Sequence, residues 1–190
     1  MFFGGDWVIA GVTQEIPTTA MNPSYFRIRA PLAEAMSRLS AWVNSPELEP
    51  PRDVALSEAV SLACDESGNW RGSALYLYHN DGWTIFEDLS GHFGSLPATT
   101  WKSFAQNDSF VFAGYNDAIG YGELTVIENG AILREFLFDS DNSDVNVNHG
   151  LLEGNPVEPI ETWIQAARFV DGDEIVFSEY GLLWIHGRIA

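Results

Sequence analysis

Two apolar runs joined by an Asn-Gly turn constrain the fold of this chain more than any other feature of its sequence. The runs are 123–127 and 132–138, and Asn129-Gly130 lies between them. Asn and Gly both accept the left-handed backbone that a type I′ turn requires, which makes this pattern the strongest short-range signal for a β-hairpin. Because such tight turns join antiparallel strands, we expect a mainly antiparallel sheet.

Other apolar runs of strand length extend this sheet. A second hairpin is predicted over 74–78 and 83–86, with Asp81-Gly82 at its turn. Further strand-length runs lie at 7–12, 110–115, 175–177 and 182–185. Tight turns rather than helical crossovers join the central runs, which argues against a parallel, doubly wound sheet.

Helices are predicted before, between and after the strands. Apolar residues recur at helical spacing over 31–44. Asp53 is expected to cap a second helix, after a break in the chain at Pro50-Pro51. The predicted helices are 31–44, 53–64, 97–104 and a last helix that Pro159 opens.

These elements predict one α+β domain over 1–190, with a helical part at about 31–64 and a sheet-rich part at about 74–190. We expect a mostly antiparallel sheet of about six strands, with helices packed on one of its faces. The chain is 46 % hydrophobic and 13 % aromatic, whereas disordered chains combine high charge with few aromatic residues. A packed core is therefore expected.

Signatures of enzymes and metal sites are missing from the sequence. It contains no G-x-S-x-G, G-x-G-x-x-G, P-loop or H-E-x-x-H motif, and no cysteine pair for zinc. Segment 139–144 has oxygen-bearing side chains like a calcium loop, but Asp144 replaces the glycine and Gly150 the glutamate that such a loop needs. We expect no catalytic residue, no cofactor and no metal ion.

Three features of the sequence predict a cytoplasmic protein. Residues 1–6 lack the basic region and the apolar run of a secretory signal. No run of about 18 apolar residues, which a membrane span would need, occurs anywhere. Cys64 is the single cysteine, so an internal disulfide is impossible.

Charge gives the main indication of function. The net charge is -18, from 27 acidic and 9 basic residues, and 15 of the 27 acids lie in 103–190. This charge disfavours nucleic acids and anionic membranes as partners, because their phosphates would be repelled. It favours a basic protein as partner, since opposed charges speed association and set specificity. We expect the chain itself to be a monomer or a weak homodimer.

The expected partner-binding surface consists of acids in three clusters. Two clusters lie in the polar segment 139–144 and in the turn 171–174, and the third follows the Trp83 strand. The candidate residues are Asp139, Asp141, Asp144, Asp171, Asp173, Glu174, Glu87 and Asp88.

The segment 75–91, LYLYHNDGWTIFEDLSG, together with the size and acidity of the chain, resembles the small cytoplasmic immunity proteins of bacterial toxin systems, including SUKH-like ones. The resemblance extends roughly from Leu75 to the C-terminus. It implies a protein that binds a cognate basic toxin or effector, often a nuclease, and blocks its active site. It assigns no individual site residue.

Two other functions remain open at this point. One is an enzyme or small-ligand-binding protein with a pocket in the sheet lined by carboxylates such as Glu87, Asp88, Asp171 and Asp173. A deep pocket with converging polar groups and acids of shifted pKa would favour it. A shallow, acidic and aromatic surface would favour partner binding. The other is a housekeeping domain whose acids are dispersed over the surface.

Overall fold

One antiparallel sheet of nine strands runs through the residues that the computed structural model describes, which are 24–150, 162, 164–166 and 178–187. The strands are β1 (Ser24–Ile28), β2 (Glu47–Ala55), β3 (Ser73–Asn80), β4 (Trp83–Asp88), β5 (Phe110–Asn116), β6 (Tyr121–Glu128), β7 (Ala131–Asp139), β8 (Val147–His149) and β9 (Tyr180–His186). Their order across the sheet is β2-β9-β3-β4-β1-β5-β6-β7-β8. The prediction of an α+β fold with a mainly antiparallel sheet is confirmed, but the predicted number of about six strands is wrong.

Both predicted hairpins are confirmed. β6 pairs with β7 across Asn129 and Gly130, whose φ angles are 50° and 72°. β3 pairs with β4 across Asp81 and Gly82, whose φ angles are 45° and 79°. Two consecutive left-handed residues are the requirement of a type I′ turn, and Asn-Gly and Asp-Gly meet it at little steric cost.

The additional strands include two that lack a strong strand pattern. β1 has only five residues and includes Ser24 and Arg27, yet it lies between β4 and β5 in the middle of the sheet. β2 is an edge strand that contains Pro50 and Pro51, and its pairing with β9 shifts register between Glu49 and Arg52. An edge strand with such an irregularity tolerates prolines, which cannot donate to the ladder. The expected break there, and the cap at Asp53, are therefore wrong.

Three α-helices and one 3-10 turn accompany the sheet within the described residues. They are α1 (Leu32–Val43), α2 (Leu56–Ala63), α3 (Ala98–Ala105) and the turn Ser143–Val145, and 164–166 is also helical. The predicted helices 31–44 and 97–104 are confirmed, and the second helix begins at Leu56 rather than at Asp53. The predicted strands 7–12 and 175–177, and most of the last predicted helix, lie outside the described residues.

Helices cover both faces of the sheet, so the expected packing on one face is wrong. α1 and α3 pack on Phe26, Leu75 and Phe86, which we call the α1/α3 face. α2 packs on Tyr76 and Ile85, which alternate with those residues along β3 and β4 and so belong to the opposite face, the α2 face. Buried apolar residues therefore occur on both faces of the sheet.

No helix in the part of the chain that the structure describes is long and apolar enough to cross a membrane.

Candidate binding cleft

A cleft of about 340 Å³ opens on the α1/α3 face at one end of the sheet. At this end β1 and β6 begin and β4 and β5 finish. The lining comes from these strand ends and from the loop after β4: Ser24, Ser90, Gly91, Gly94, Ser95, Gly114, Tyr115, Asn116, Ile119, Tyr121 and Glu123. Of these described lining residues, Glu123 is the one acid and none is basic.

The cleft exists because three neighbouring strands place small or polar residues side by side. Gly114 of β5 pairs with Ser24 of β1 on one side and with Glu123 of β6 on the other, and we call these three residues the cleft row. They share the α1/α3 face with Phe26 and Phe112, which lie two residues further along β1 and β5. Gly114 has no side chain, so space remains between Ser24 and Glu123.

The loop after β4 fixes the Glu123 carboxyl group from one side. The backbone N–H of Ser95 donates a hydrogen bond to Glu123 Oε2 at 2.9 Å, and Ser95 Oγ lies 2.9 Å from the Tyr121 hydroxyl. Ser95 has a φ of 62°, a left-handed conformation that costs a non-glycine residue roughly 1–2 kcal/mol. A Cβ at Gly94 would lie 3.0 Å from Glu123 Oε1, so a side chain there would press on the carboxyl group. Strain of this kind is often found at functional sites.

Burial raises the pKa of Glu123 to about 8. The side chain is 6 % exposed, and the charge of Asp88 adds to the rise, while hydrogen bonds from Ser95 and Tyr121 oppose it. Burial, followed by the charge of Glu123, also raises the pKa of Tyr121. Ion pairs within the described residues lie elsewhere, at Arg38–Glu34, Arg38–Asp108 and Arg71–Glu49. Burial therefore favours the protonated form of the Glu123 carboxyl, and no described cation pairs with it.

Asp88, one of the expected partner contacts, is 3 % exposed. Its Oδ2 accepts the backbone N–H of Phe93 at 2.8 Å, and its Oδ1 accepts the Ser90 hydroxyl at 3.1 Å. Burial raises the pKa of Asp88, and hydrogen bonds from the loop backbone oppose the rise. Asp88 thus holds the loop that borders the cleft, and its carboxylate is not presented at the surface.

Glu87 lies on the opposite, α2 face, where Tyr25 of β1 and Tyr76 of β3 are its direct cross-strand neighbours. It is half-buried, and burial raises its pKa to about 7, while the nearby Tyr78 hydroxyl opposes the rise. Because β4 is flanked by β3 and β1, Glu87 lies on an inner strand and not on an edge of the sheet. Glu87 does not line the cleft.

The acidic loop 139–144 lies at the same end of the sheet as the cleft. The backbone N–H of Ser140 donates to the carbonyl of Gly120 at 3.3 Å, and its hydroxyl donates to the carbonyl of Ile119 at 2.5 Å. These bonds tie the loop to the β5–β6 turn, and Ile119 of that turn lines the cleft while remaining 45 % exposed. The loop is therefore a direct neighbour of the cleft.

Four acids form what we call the acidic rim: Asp117 in the β5–β6 turn and Asp139, Asp141 and Asp144 in the loop. Asp117, Asp141 and Asp144 are exposed and Asp139 is half-buried. Asp139 Oδ1 accepts the backbone N–H groups of Asp141 and Asn142 at 2.9 and 3.1 Å, so Asp139 also shapes the loop. Asp139, Asp141 and Asp144, three of the expected partner contacts, therefore lie in the loop that is hydrogen-bonded to the turn beside the cleft.

The remaining expected contacts, Asp171, Asp173 and Glu174, lie outside the described residues. Within the described part of the chain, no three His, Cys, Asp or Glu side chains are grouped as metal ligands would be. The calcium-like pattern of 139–144 is therefore not accompanied by a ligand cluster in this part.

Glu123 was not identified from the sequence as a site residue. The sequence signal that could have identified it is an acid within a strand that is buried on both faces. Leu124 and Val126 are buried on one face of β6, and Glu123 and Thr125 on the other. An acid at a core-facing strand position is rare without a function, because burial of a charge is costly. The signal becomes visible once both faces of the sheet are known to be covered.

Comparisons with protein-family models, with curated proteins and with solved structures found no match. A fold without such matches assigns no activity, so function has to be inferred from the chemistry of the site. The features that bear on it are the cleft and the acidic rim.

Proposed function

We propose that this chain is an immunity-type binding protein that neutralises a basic toxin or effector by covering part of it with an acidic surface. The proposed surface is the acidic rim together with the mouth of the cleft. One observation carries the proposal: Asp117 lies in the β5–β6 turn beside the cleft, Asp139, Asp141 and Asp144 lie in the loop hydrogen-bonded to that turn, and no ion pair links them to a described cation.

Charge supplies the physical basis of the proposal. A net charge of -18 is well above the magnitude of about 2–8 that keeps a small domain soluble, and it makes the folded chain repel itself. A basic partner would relieve that repulsion at the acidic rim. Attraction between opposite charges raises association rates by roughly 10–1,000-fold at low salt. A nuclease that binds phosphates through basic residues is one class of partner with the required surface.

The rate of association with a basic partner tests this proposal. The first partner to use is the product of the neighbouring gene, measured by stopped flow at about 50 mM and about 300 mM NaCl, where screening differs strongly. In a triple variant, Asp139→Asn, Asp141→Asn and Asp144→Asn, we expect association at low salt to be about tenfold slower and its salt dependence to be flatter. Asparagine keeps the acceptor oxygen with which Asp139 shapes the loop.

A second triple variant serves as the control. Glu58→Gln, Glu66→Gln and Asp81→Asn remove the same charge from exposed positions in α2, the turn after it and the β3–β4 turn. We expect less than a twofold change in association rate from this variant. An equal effect of both triples would assign the role to net charge alone, and no effect of either would contradict the proposal.

An enzyme or small-ligand-binding protein that uses the cleft is the second candidate. The convergence of polar groups from several strands on a buried carboxyl group favours it, as does the raised pKa of that group. The carboxyl group concerned is Glu123 rather than Glu87 or Asp88. Tight binding of an uncharged small molecule, lost in Glu123→Gln, would favour this candidate over the first.

A further inference from the structure

We infer that the cleft is a binding site for one cationic group, a primary ammonium or a guanidinium, and that Glu123 is its counter-ion. If the cationic group belongs to a protein, the inference rests on the proposed function. The group is then a lysine or arginine side chain of the basic partner, and this side chain enters the cleft. A free amine of low molecular weight offers the same chemistry.

The size of the cleft fits a single side chain or a small amine. Its volume of about 340 Å³ is at the lower end of the roughly 300–1,000 Å³ found for small-molecule pockets. Gly91, Gly94 and Gly114 contribute backbone without side chains to its lining. Larger residues at these positions would reduce the space in front of Glu123.

Glu123 has neutral hydrogen-bond donors, but no cation among the described residues pairs with it. Buried carboxylates are usually paired with a cation or bound by several donors. Glu123 accepts hydrogen bonds from the Ser95 N–H, at Oε2, and from the Tyr121 hydroxyl, and neither donor carries a positive charge. None of the ion pairs among the described residues includes Glu123. A bound cation would supply the missing charge.

Other polar atoms of the cleft can accept hydrogen bonds from such a cation. Ser24 Oγ is buried in the lining and has no hydrogen-bond partner among the described residues. An ammonium has three N–H donors and a guanidinium has five, so each needs acceptors besides the carboxylate. The hydroxyl groups of Ser24, Ser95 and Tyr121 line the same cleft and provide these acceptors.

The acidic rim favours the same kind of ligand. Clefts bordered by charges of one sign concentrate ligands of the opposite sign. The described residues that line the cleft include no lysine or arginine, which would repel a cation or occupy Glu123. Both the mouth and the interior of the cleft are therefore suited to a positive group.

Binding of a cation should release a proton from Glu123. The titratable and charged groups near Glu123 are Tyr121 on its own strand, Asp88 from β4, and Glu135 and Asp139, which flank its β7 partner Leu137. None of them is basic, and the pKa of Glu123 is raised to about 8. A cation stabilises the ionised carboxylate. We therefore expect affinity to rise as pH rises from about 6 to about 8.5.

Titration of the whole chain with small probes tests the inference. The probes are Nα-acetyl-lysine methylamide and Nα-acetyl-arginine methylamide, n-butylamine and methylguanidinium as free cations, and Nα-acetyl-norleucine methylamide as a neutral control. We expect millimolar or tighter binding of at least one cation, at least tenfold weaker binding of the neutral probe, and release of nearly one proton at pH 7, measured by calorimetry in two buffers. In Glu123→Gln we expect at least tenfold weaker binding of the cation, and in the matched variant Glu128→Gln, an exposed acid on the same strand, no change.

Each result of these titrations supports or overturns the inference. Equal binding of neutral and charged probes, no binding of any cation at about 20 mM, or unchanged binding in Glu123→Gln would overturn it. Comparison of the probes on the unmodified chain remains decisive if Glu123→Gln does not fold. Binding of the capped lysine or arginine supports a protein side chain as the natural source, and binding of the free amines alone supports a small molecule.

The same variants separate this inference from the proposed function. The triple variant Asp139→Asn, Asp141→Asn and Asp144→Asn should slow association with a basic partner. Its affinity for capped lysine or arginine should fall by less than threefold. Glu123→Gln should instead shorten the lifetime of the complex with little change in association rate. Cation binding without any basic partner would contradict the proposed function while supporting the cleft as a cation site.

Discussion

Two adjacent rows of residues on the α1/α3 face have opposite character. In the first, which we call the aromatic row, Phe86, Phe26 and Phe112 are direct neighbours on β4, β1 and β5. The cleft row lies two residues along the same β1 and β5 strands, roughly 7 Å away. The same sheet therefore carries a filled row and an open one side by side.

The aromatic row is packed at close distances. The ring centroid of Phe26 lies 4.6 Å from that of Phe86 and 4.9 Å from that of Trp101 on α3. In the cleft row, glycine and serine leave space in front of a buried acid. Positions that break the packing rule of their surroundings are expected at functional or strained sites. The comparison teaches that the aromatic row holds the sheet, while the cleft row leaves the space that the proposed cation would occupy.

The largest expected effect comes from opening the aromatic row. Phe26→Ala should lower the free energy of unfolding by about 3–5 kcal/mol, because it removes transfer energy and leaves a cavity among rings that cannot collapse into it. Phe26 is fully buried and contacts six aromatic rings. Urea unfolding monitored by tryptophan fluorescence measures the loss.

Tyr180→Ala is a suitable control for Phe26→Ala. Tyr180 is an aromatic strand residue that is 74 % exposed, so its removal should change stability by less than about 1 kcal/mol. A loss below about 1 kcal/mol for Phe26→Ala would mean that the aromatic row does not hold the sheet, and the contrast between the rows would fail.

The next effect is a pH dependence that originates in the cleft row. The folded-state pKa of Glu123 is about 8 and its ordinary value is 4.5, so between these values the folded chain binds more protons than the unfolded chain. The stability that Glu123 contributes is thus complete below about pH 4.5 and is lost as pH rises through about 8. Glu123→Gln, which cannot ionise, should become more stable than the unmodified chain by a few kcal/mol between pH 5 and pH 8.5, since one pKa unit corresponds to about 1.4 kcal/mol.

Urea unfolding at several pH values provides the measurement, and Glu128→Gln provides the control. Glu128 is an exposed acid on the same strand, so its variant should follow the pH profile of the unmodified chain. A constant difference in the free energy of unfolding between Glu123→Gln and the unmodified chain across this pH range would show that the pKa of Glu123 is not raised. Glu123 would then be ionised like an acid on an ordinary charged surface.

Much of the fold could be predicted from the sequence because its signals are local. Turn residues such as Asn129-Gly130 need a left-handed backbone wherever they occur, so the hairpins on either side follow directly. β1 could not be predicted in this way, since its place between β4 and β5 depends on contacts far along the chain. The prolines of β2 mislead for a related reason, because an edge position tolerates them and sequence does not reveal edges.

The site was less predictable than the fold. The acids at 139, 141 and 144 are visible as a charged segment, and their exposure follows from their polarity. The cleft row is assembled from three strands, and none of its residues carries a motif of its own. Asp88 is the opposite case, because it is part of an acidic pair in the sequence but is buried in the structure. Its carboxylate accepts hydrogen bonds from its own loop.

The smallest expected effect concerns the hydroxyl group of Ser24, and it compares the cleft row with a well-packed position on the same face. Ser24→Ala removes a buried hydroxyl without a described partner, so stability should stay within about 0.5 kcal/mol or rise slightly, because no hydrogen bond is lost. Thr84→Val removes a buried hydroxyl that donates to the carbonyl of Ala30 at 2.7 Å and lies 3.2 Å from His79 Nδ1, so both contacts are lost. This control should lower the free energy of unfolding by about 1–3 kcal/mol, measured by urea unfolding.

If Ser24→Ala costs as much as Thr84→Val, then Ser24 is part of the packed structure rather than an acceptor kept for a ligand. If Ser24→Ala leaves stability unchanged but weakens binding of the capped lysine or arginine severalfold, the open row has a role that packing does not explain.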